Sequence, residues 1–343
     1  MIEPCVLSIG CHLPIGTTPE DVLTNVRSGK CPGVQEITCS DGRHIPVFQA
    51  NPPDEILRHP RLRRSSRISH LACAAAKYAV DHAPDWNPAR SAIVFAASNG
   101  AVIYTRQFFD GVVREGTGSP LFFPETVYNA PASHVAALVG IDGEVVTLVS
   151  DATAAIDALA TATEILESPD LDTCLVVAAE EVDPVTAAAY RLWGLIRDGA
   201  DGHSEATLSE GAVAMVLGRD GGPRLRRLDT GHSCTAGHSL RRGLDQVVKN
   251  LTGGHRPDVV VCSAAGARSD ATEALVLDER LRGVPRLTPN RMVGQAFAVS
   301  ALTQVLVAAQ VILQNEASSA LVPVVGWNGR VGGLVLTADG AHA

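Results

Sequence analysis

The hydrophobic pattern is clearest between residues 145 and 166, where a strand is followed directly by a helix. The strand is Val145–Val149, an unbroken run of β-branched and aliphatic residues, and such a short run predicts a buried strand. Ser150 and Asp151 then turn the chain. Apolar residues recur at helical spacing after the turn, at Ile156, Leu159 and Ile165. The segment therefore predicts a strand-turn-helix elbow.

An elbow of this kind is a place where α/β enzymes put a nucleophile. The unpaired N–H groups and the dipole at a helix N-terminus lower the pKa of a thiol and stabilise the thiolate. The residue at this place is Ala152. Because alanine has no nucleophilic atom, the elbow is predicted to lack a catalytic group.

Strands and helices alternate along the rest of the chain. Further strands are predicted at residues 6–9, 91–97, 173–179, 212–218, 259–262, 320–325 and 332–337, and helices at 19–28, 65–82, 271–281 and 296–313. This alternation predicts a layered α/β architecture. The tetrapeptide SDAT occurs at 150–153 and at 269–272, which leaves open either an internal repeat or a coincidence of small residues.

Composition narrows the function classes. The 343 residues are enough for one large domain or two fused halves. The formal net charge is −9, and no run of basic residues alternates with aromatic ones, so no nucleic-acid partner is expected.

The cysteines and the apolar segments argue against metal-binding, disulfide-bonded, secreted and membrane-spanning proteins. The eight cysteines form no C-x-x-C pair, and several lie within apolar segments, so we expect free thiols without a metal, a disulfide or a cofactor. The N-terminus lacks the positive charge of a signal peptide, which predicts a cytoplasmic protein. The apolar segment 296–313 contains Ser300, Thr303, Gln304 and Gln310, so a buried core helix is expected there and no membrane span.

An ordered series of motifs resembles one known family. The series comprises VLSIGCHLPIGTTPEDVLTNVRSGK, RRSSRISHLACAAAKYAV, VSDATAAIDAL, LDTCLVVAAEEVDP and LSEGAVAMVL. In this order, and over nearly the whole chain, the segments resemble the thiolase-fold β-ketoacyl synthases, the condensing enzymes of fatty-acid and polyketide assembly. The resemblance implies a five-layer αβαβα fold of two similar halves, with the halves at residues 1–218 and 219–343.

The catalytic positions of that family are changed in this chain. The family's nucleophilic cysteine falls on Ala152, and its first histidine falls on Ser263 or, with another gap placement, on Cys262. The motif that carries the family's lysine and second histidine falls on Asn290 and Gln295. Condensation needs a thiolate to hold the acyl chain and histidines to stabilise the enolate, so the resemblance implies that catalysis is lost.

A family member without these groups resembles the chain length factor, the ketosynthase β subunit of bacterial type II polyketide synthases. The resemblance implies a heterodimer with a catalytic ketosynthase α subunit and only indirect contact with the acyl carrier protein. It also implies that the subunit shapes the acyl tunnel of its partner and so the product length. The sequence leaves open an aromatic or a highly reduced polyene product, and the compact chain favours the latter.

The tunnel end is expected at residues 122–128, FFPETVY, which match the family segment at the dimer interface. The candidate residues for the tunnel end and the interface are Phe122, Phe123, Thr126, Val127 and Tyr128. Core packing at the start of a helix is the alternative interpretation of this segment. The resemblance also implies that the dimer forms through the strand at 173–179.

Two other functions remain open from the sequence. An independent acyltransferase would use Ser150, Thr153 or Cys262 on an acyl thioester, although no base is evident beside them. A purely structural subunit would stabilise the ketosynthase without measuring its product. The loop at 326–333, GWNGRVGG, resembles the family's Gly-Phe-Gly-Gly loop and is interpreted as vestigial.

Overall fold

A large mixed β-sheet runs through the computed structural model, which describes residues 2–39, 41–196, 206–234 and 239–339. The strands are β1 (Cys5–His12), β2 (Gln35–Thr38), β3 (His44–Phe48), β4 (Ser91–Ala97), β5 (Val145–Val149), β6 (Thr173–Glu180), β7 (Leu208–Ser209), β8 (Gly211–Gly218), β9 (Arg224–Ser233), β10 (Val259–Val261), β11 (Arg286–Leu287), β12 (Ser319–Val325) and β13 (Arg330–Thr337). Strands β2, β3 and β7 form a separate small sheet that the sequence did not predict.

The helices lie on both faces of the large sheet and between its halves. They are α1 (Pro19–Ser28), α2 (Asp54–Leu57), α3 (Arg67–Asp81), α4 (Val102–Glu115), α5 (Ala130–Val139), α6 (Ala154–Ile165), α7 (Pro184–Leu192), α8 (Leu240–Thr252), α9 (Asp270–Arg280), α10 (Asn290–Val293) and α11 (Ala298–Leu313). In the described part of the chain, no helix is both long and apolar enough to span a membrane.

The two halves of the large sheet have the same strand order. One half runs β5-β4-β6-β8-β1 and the other β11-β10-β12-β13-β9, so each reads 3-2-4-5-1 when its strands are numbered within its own half. The halves meet where Cys5 of β1 pairs with Arg224 of β9. The predicted pair of similar halves is therefore confirmed. Their boundary between residues 218 and 219 stays a prediction, and it falls between β8 and β9.

Hydrophobic clusters divide the structure into five layers. One cluster joins α6 and α11 to the inner faces of both half-sheets. A second cluster packs α3 and α5 on the outer face of the first half, and a third packs α8 and α9 on the outer face of the second. The order helix, sheet, helix, sheet, helix confirms the predicted αβαβα architecture.

The polar residues of α11 explain why so apolar a helix belongs to the core. Every residue of α11 except Leu313 is buried. The Gln304 side-chain amide donates to the carbonyls of Val261 and Pro323 at 2.9 and 2.8 Å, which ties the helix to two strands. The Thr303 hydroxyl donates to the Val299 carbonyl at 2.8 Å. The buried side chains of Gln304 and Thr303 thus have hydrogen-bond partners, as burial requires.

The two SDAT segments occupy different places in the two halves. The first precedes α6, which follows the third strand of its half, whereas the second forms the start of α9, which follows the second strand of the other half. The topologically equivalent helix of α6 is α11. The repeated tetrapeptide is therefore a coincidence, and the duplication is visible only in the strand order.

The prediction that the dimer forms through the strand at 173–179 is wrong. Strand β6 is paired with β4 along one edge and with β8 along the other, and all its residues are buried. It has no free edge with which to continue a sheet into a partner. The outermost strand of this half is β5, whose residues are exposed or half-buried. The prediction that Val145–Val149 is a buried strand is therefore also wrong, because a run of apolar residues does not show which strand forms the edge of the sheet.

Two carboxylates at the end of β6 hold the starts of neighbouring segments. Glu181 accepts hydrogen bonds from the N–H groups of Ile68 and Ile103 at 2.9 and 2.8 Å, in the first turns of α3 and α4. Glu180 accepts from the N–H groups of Ser98 and Asn99 in the turn after β4. Burial raises the pKa of Glu180 to about 7 and that of Glu181 to about 8.

These raised pKa values predict a pH-dependent stability. The folded state binds protons on Glu181 more tightly than the unfolded state does, so this contribution is complete below about pH 4.5 and is lost as pH rises through about 8. Urea unfolding between pH 5 and 8.5 should show a falling free energy of unfolding. In Glu181→Gln the fall should be smaller by on the order of 2 kcal/mol. The exposed Glu164→Gln is the control, and equal slopes in all three proteins would contradict the assignment.

Candidate functional site

The elbow has the expected shape, and its turn is closed by Asp151. The Asp151 Oδ1 atom accepts hydrogen bonds from the N–H and the hydroxyl of Thr153, both at 3.1 Å. Its Oδ2 atom accepts from the N–H of Asn328 at 3.2 Å. Burial raises the pKa of the Asp151 carboxyl, and these hydrogen bonds oppose that rise. Ala152, which lies between Asp151 and Thr153 in the chain, is buried just before the start of α6.

The glycine-rich loop at 326–329 lies directly over this turn. A Cβ atom on Gly326 would stand 1.9 Å from the Asp151 Oδ2 atom, so only glycine allows the loop to approach so closely. Arg330 at the end of the loop forms a bidentate ion pair with Asp157 of α6, at 2.6 and 2.9 Å. The loop and the elbow are therefore fixed to each other by charge as well as by backbone contact.

Aromatic rings fill the space beside the loop. Tyr190, Trp193, Phe297 and Trp327 pack together with ring centroids 5.1 to 5.8 Å apart. We call these four residues the aromatic cluster. A cavity of about 270 Å³ lies next to it, lined by Trp327, Arg268 and Cys234 among others, and Ala152 is not among its lining residues. The cavity thus ends at the cluster and the loop, short of the elbow.

Ser263, which stands at the first histidine position, is held by a buried carboxylate. Glu273 accepts hydrogen bonds from the N–H and the hydroxyl of Ser263 at 2.8 and 2.9 Å, and burial raises the pKa of Glu273 to about 7. The side-chain amide of Asn290 donates to the Ser263 carbonyl at 3.4 Å. Sequence reasoning missed Glu273. Its spacing to Val276 and Leu277 places it on the buried face of α9 and was the available signal.

Gln295, at the second histidine position, has a structural role. Its Oε1 atom accepts from the N–H of Phe297 at 3.0 Å. Its backbone N–H donates to the Thr207 carbonyl at 2.8 Å, and its carbonyl accepts from the N–H of Ser209 at 3.0 Å. The residue therefore links the start of α11 to the small sheet. Phe297, two residues further along the chain, belongs to the aromatic cluster and packs against Trp327 of the loop.

The nucleophiles of an independent acyltransferase are poorly placed. Thr153 is fully buried, and its hydroxyl donates to Asp151. Cys262 is buried, and burial raises the pKa of its thiol, which disfavours the reactive thiolate. Ser150 is half-buried at the end of β5. Among the described residues, no group of three or more histidine, cysteine or acidic side chains is placed to hold a metal ion.

The candidate tunnel-end residues do not form a core. Phe123, Val127 and Tyr128 are exposed, and Phe122 and Thr126 are half-buried. The segment contains a short 3-10 helix, Phe123–Glu125, ahead of α5. The alternative interpretation as ordinary core packing at a helix start is therefore wrong for this chain.

Further apolar side chains are exposed on α4 and on β5. Helix α4 has no buried residue, and Val113 at its end is 83% exposed. We group the exposed apolar side chains of α4, of the segment before α5 and of the edge strand β5 under the name α4–β5 face. They are Phe109, Val113, Leu121, Phe123, Val127, Tyr128, Val145 and Val149. Exposed large apolar side chains that lie together mark interaction surfaces.

Comparison with known proteins gives one family and several solved structures. The family model for the β-ketoacyl synthase N-terminal domain matches residues 4–221. A search among curated proteins finds no match. The ishigamide ketosynthase/chain length factor is 17% identical, with a TM-score of 0.83 over 98% of this chain and 100% of that chain.

Two further solved structures have the same fold. The ketosynthase ApeO in complex with its chain length factor ApeC, from Xenorhabdus doucetiae, matches at 14% identity and a TM-score of 0.82, over 98% of both chains. A β-ketoacyl synthase from Burkholderia phymatum matches at 14% identity and a TM-score of 0.81, over 98% of this chain and 100% of that chain. The family model spans more than half of the chain and includes the elbow at Ala152. The protein therefore belongs to the β-ketoacyl synthase family.

Proposed function

We propose that this protein is a non-catalytic chain length factor, which pairs with a catalytic ketosynthase and limits the length of its polyketide product. The observation that carries the proposal is Ala152 at the elbow, enclosed by the loop of Gly326. Ser263 and Gln295 support it, because both make structural hydrogen bonds at positions where catalysis needs histidine. The reaction needs a thiolate and two proton donors, and none of these positions supplies one.

The partner is proposed to bind the α4–β5 face. Strand β5 offers the unpaired backbone groups of a sheet edge, and an edge strand of a partner can satisfy them by continuing the sheet. The surrounding aromatic and aliphatic side chains would lose contact with water in the same step. Two of the similar solved structures are described as ketosynthases with their chain length factors, which supports a ketosynthase as the partner. Permanent interfaces of this kind bury more than about 2,000 Å².

The product length is proposed to depend on residues 122–128. The side chains of Phe123, Val127 and Tyr128 are exposed on their own chain, so a bound partner would receive them at its surface or in its acyl tunnel. A bulky side chain at the end of a tunnel stops the growing acyl chain because further extension requires overpacking. The purely structural subunit is the competing proposal, and it differs in predicting no effect of these side chains on product length.

The first expectation is that the purified chain is not acylated by acyl thioesters and does not decarboxylate malonyl carrier protein. Intact-mass spectrometry measures the first reaction, and carbon dioxide release measures the second. The partner ketosynthase, which carries a reactive cysteine, is the positive control. Ala152→Cys should at most acquire an acyl group without condensing, because no histidine stands at Ser263 or Gln295. A stoichiometric adduct on the unaltered chain would instead support the acyltransferase.

The second expectation concerns the α4–β5 face. Val113→Lys places a charge in the proposed interface, which should weaken the 1:1 complex with the ketosynthase by at least about 30-fold. The control is Leu313→Lys, at an exposed apolar position near the end of another helix, α11. Analytical ultracentrifugation or calorimetry gives both affinities. If the two variants bind equally well, the partner binds elsewhere.

The third expectation is a change of product length in opposite directions. Phe123→Ala removes bulk and should lengthen the products. Val127→Trp adds bulk and should shorten them, because overpacking in this variant disfavours each further extension by about ten-fold. Product profiling of the reconstituted ketosynthase complex measures both. An unchanged length distribution in both variants, with complex formation intact, would favour the purely structural subunit.

A further inference from the structure

Residues 122–128 have an inverted pattern of burial. The charged residue of the segment, Glu125, is its only buried side chain, with 8% of its surface exposed. The neighbouring Phe123 and Tyr128 are 57% and 47% exposed. A turn at a protein surface normally buries its aromatic side chains and exposes its charges. The position of this segment is therefore determined by polar contacts.

Glu125 connects the segment to two helices of the core. Its Oε1 atom accepts a hydrogen bond from Nε2 of His134 in α5 at 2.7 Å. Its Oε2 atom accepts from the N–H of Ser66 at 3.2 Å, and Ser66 is the residue that starts α3. Both helices pack in the outer cluster of the first half. The carboxylate thus bridges three elements, and each of its oxygen atoms has a donor.

The aromatic contacts of the segment lead to α4 and to the turn after β4. Phe122 packs edge-on against Tyr104 with ring centroids 5.3 Å apart, and Phe123 packs against Phe108 at 5.7 Å. Both partners belong to α4, which has no buried residue. The Tyr128 ring lies close against Gly100. The Glu125 carboxylate adds the polar contact that ties the segment to both α3 and α5.

We infer that the Glu125–His134 pair is a positioning device that fixes how far residues 123–128 project from the α4–β5 face. The inference rests on the proposed function and deepens it, because a wall at a defined depth gives products of one length. Without the donor on His134, the buried carboxylate loses a charge-assisted hydrogen bond and the segment samples several positions. Glu125 and His134 would then control the uniformity of product length without touching the acyl chain.

Hydrogen exchange of the isolated chain tests the device without any assay of product. His134→Leu, of similar volume and without a donor, should raise the exchange rate of the peptide covering residues 121–129 by about five-fold. His134→Gln keeps a donor for Glu125 and should exchange like the unaltered chain. Ala137→Ser, at an exposed position of the same helix, is the control. If His134→Leu folds poorly, Glu125→Ala is the second variant, and it should raise the exchange rate of the same peptide.

Product profiling of the ketosynthase complex then tests the consequence. His134→Leu should spread the products over several lengths, and His134→Gln should restore a single main length. Unchanged exchange at 121–129 overturns the inference, and so does faster exchange with an unchanged product distribution. Phe123→Ala in the same assay separates this failure from that of the proposed function. If Phe123→Ala alters the length and His134→Leu does not, only the positioning role is wrong; if neither does, the tunnel-end role is wrong.

Discussion

The structure depends on the packing of α6 against α11 between the two half-sheets. The two helices share one hydrophobic cluster with the inner faces of both half-sheets, and small alanine side chains allow the layers to approach closely. Each helix follows the third strand of its half, so the two N-termini are equivalent by topology. This arrangement brings Asp151 before α6 and Phe297 before α11 to the same loop, the first beside Gly326 and the second beside Trp327.

The same place that can hold reactive groups is here stabilised by ordinary polar contacts. Asp151 closes the elbow turn, Glu273 holds Ser263, and Gln295 caps the N–H of Phe297. A buried polar group without a partner is costly, so these hydrogen bonds stabilise the positions around the elbow. Gly326 brings the backbone of the loop directly against Asp151, the carboxylate that closes the turn.

The exterior and the interior of the first half are stabilised by different kinds of contact. The core elements are fixed by apolar burial, whereas α4 and the segment before α5 are fixed by buried carboxylates, among them Glu181 and Glu125. Polar anchors leave the aromatic and aliphatic side chains of these elements free to face outwards. A face of this kind is stable in contact with a partner, because association then removes the exposed apolar surface from water.

The sequence by itself determined the layered α/β class, the strand-turn-helix elbow, the missing thiol at Ala152 and the burial of α11. These follow from residue type and from periodicity, which act over a few neighbouring residues. It did not determine that β6 is central and β5 is the edge, because pairing depends on how strands distant in sequence are ordered. Nor did it identify Glu125 and Glu273 as buried carboxylates. Their partners Ser66 and Ser263 come from other elements, and only the tertiary structure brings the donors and the acceptors together.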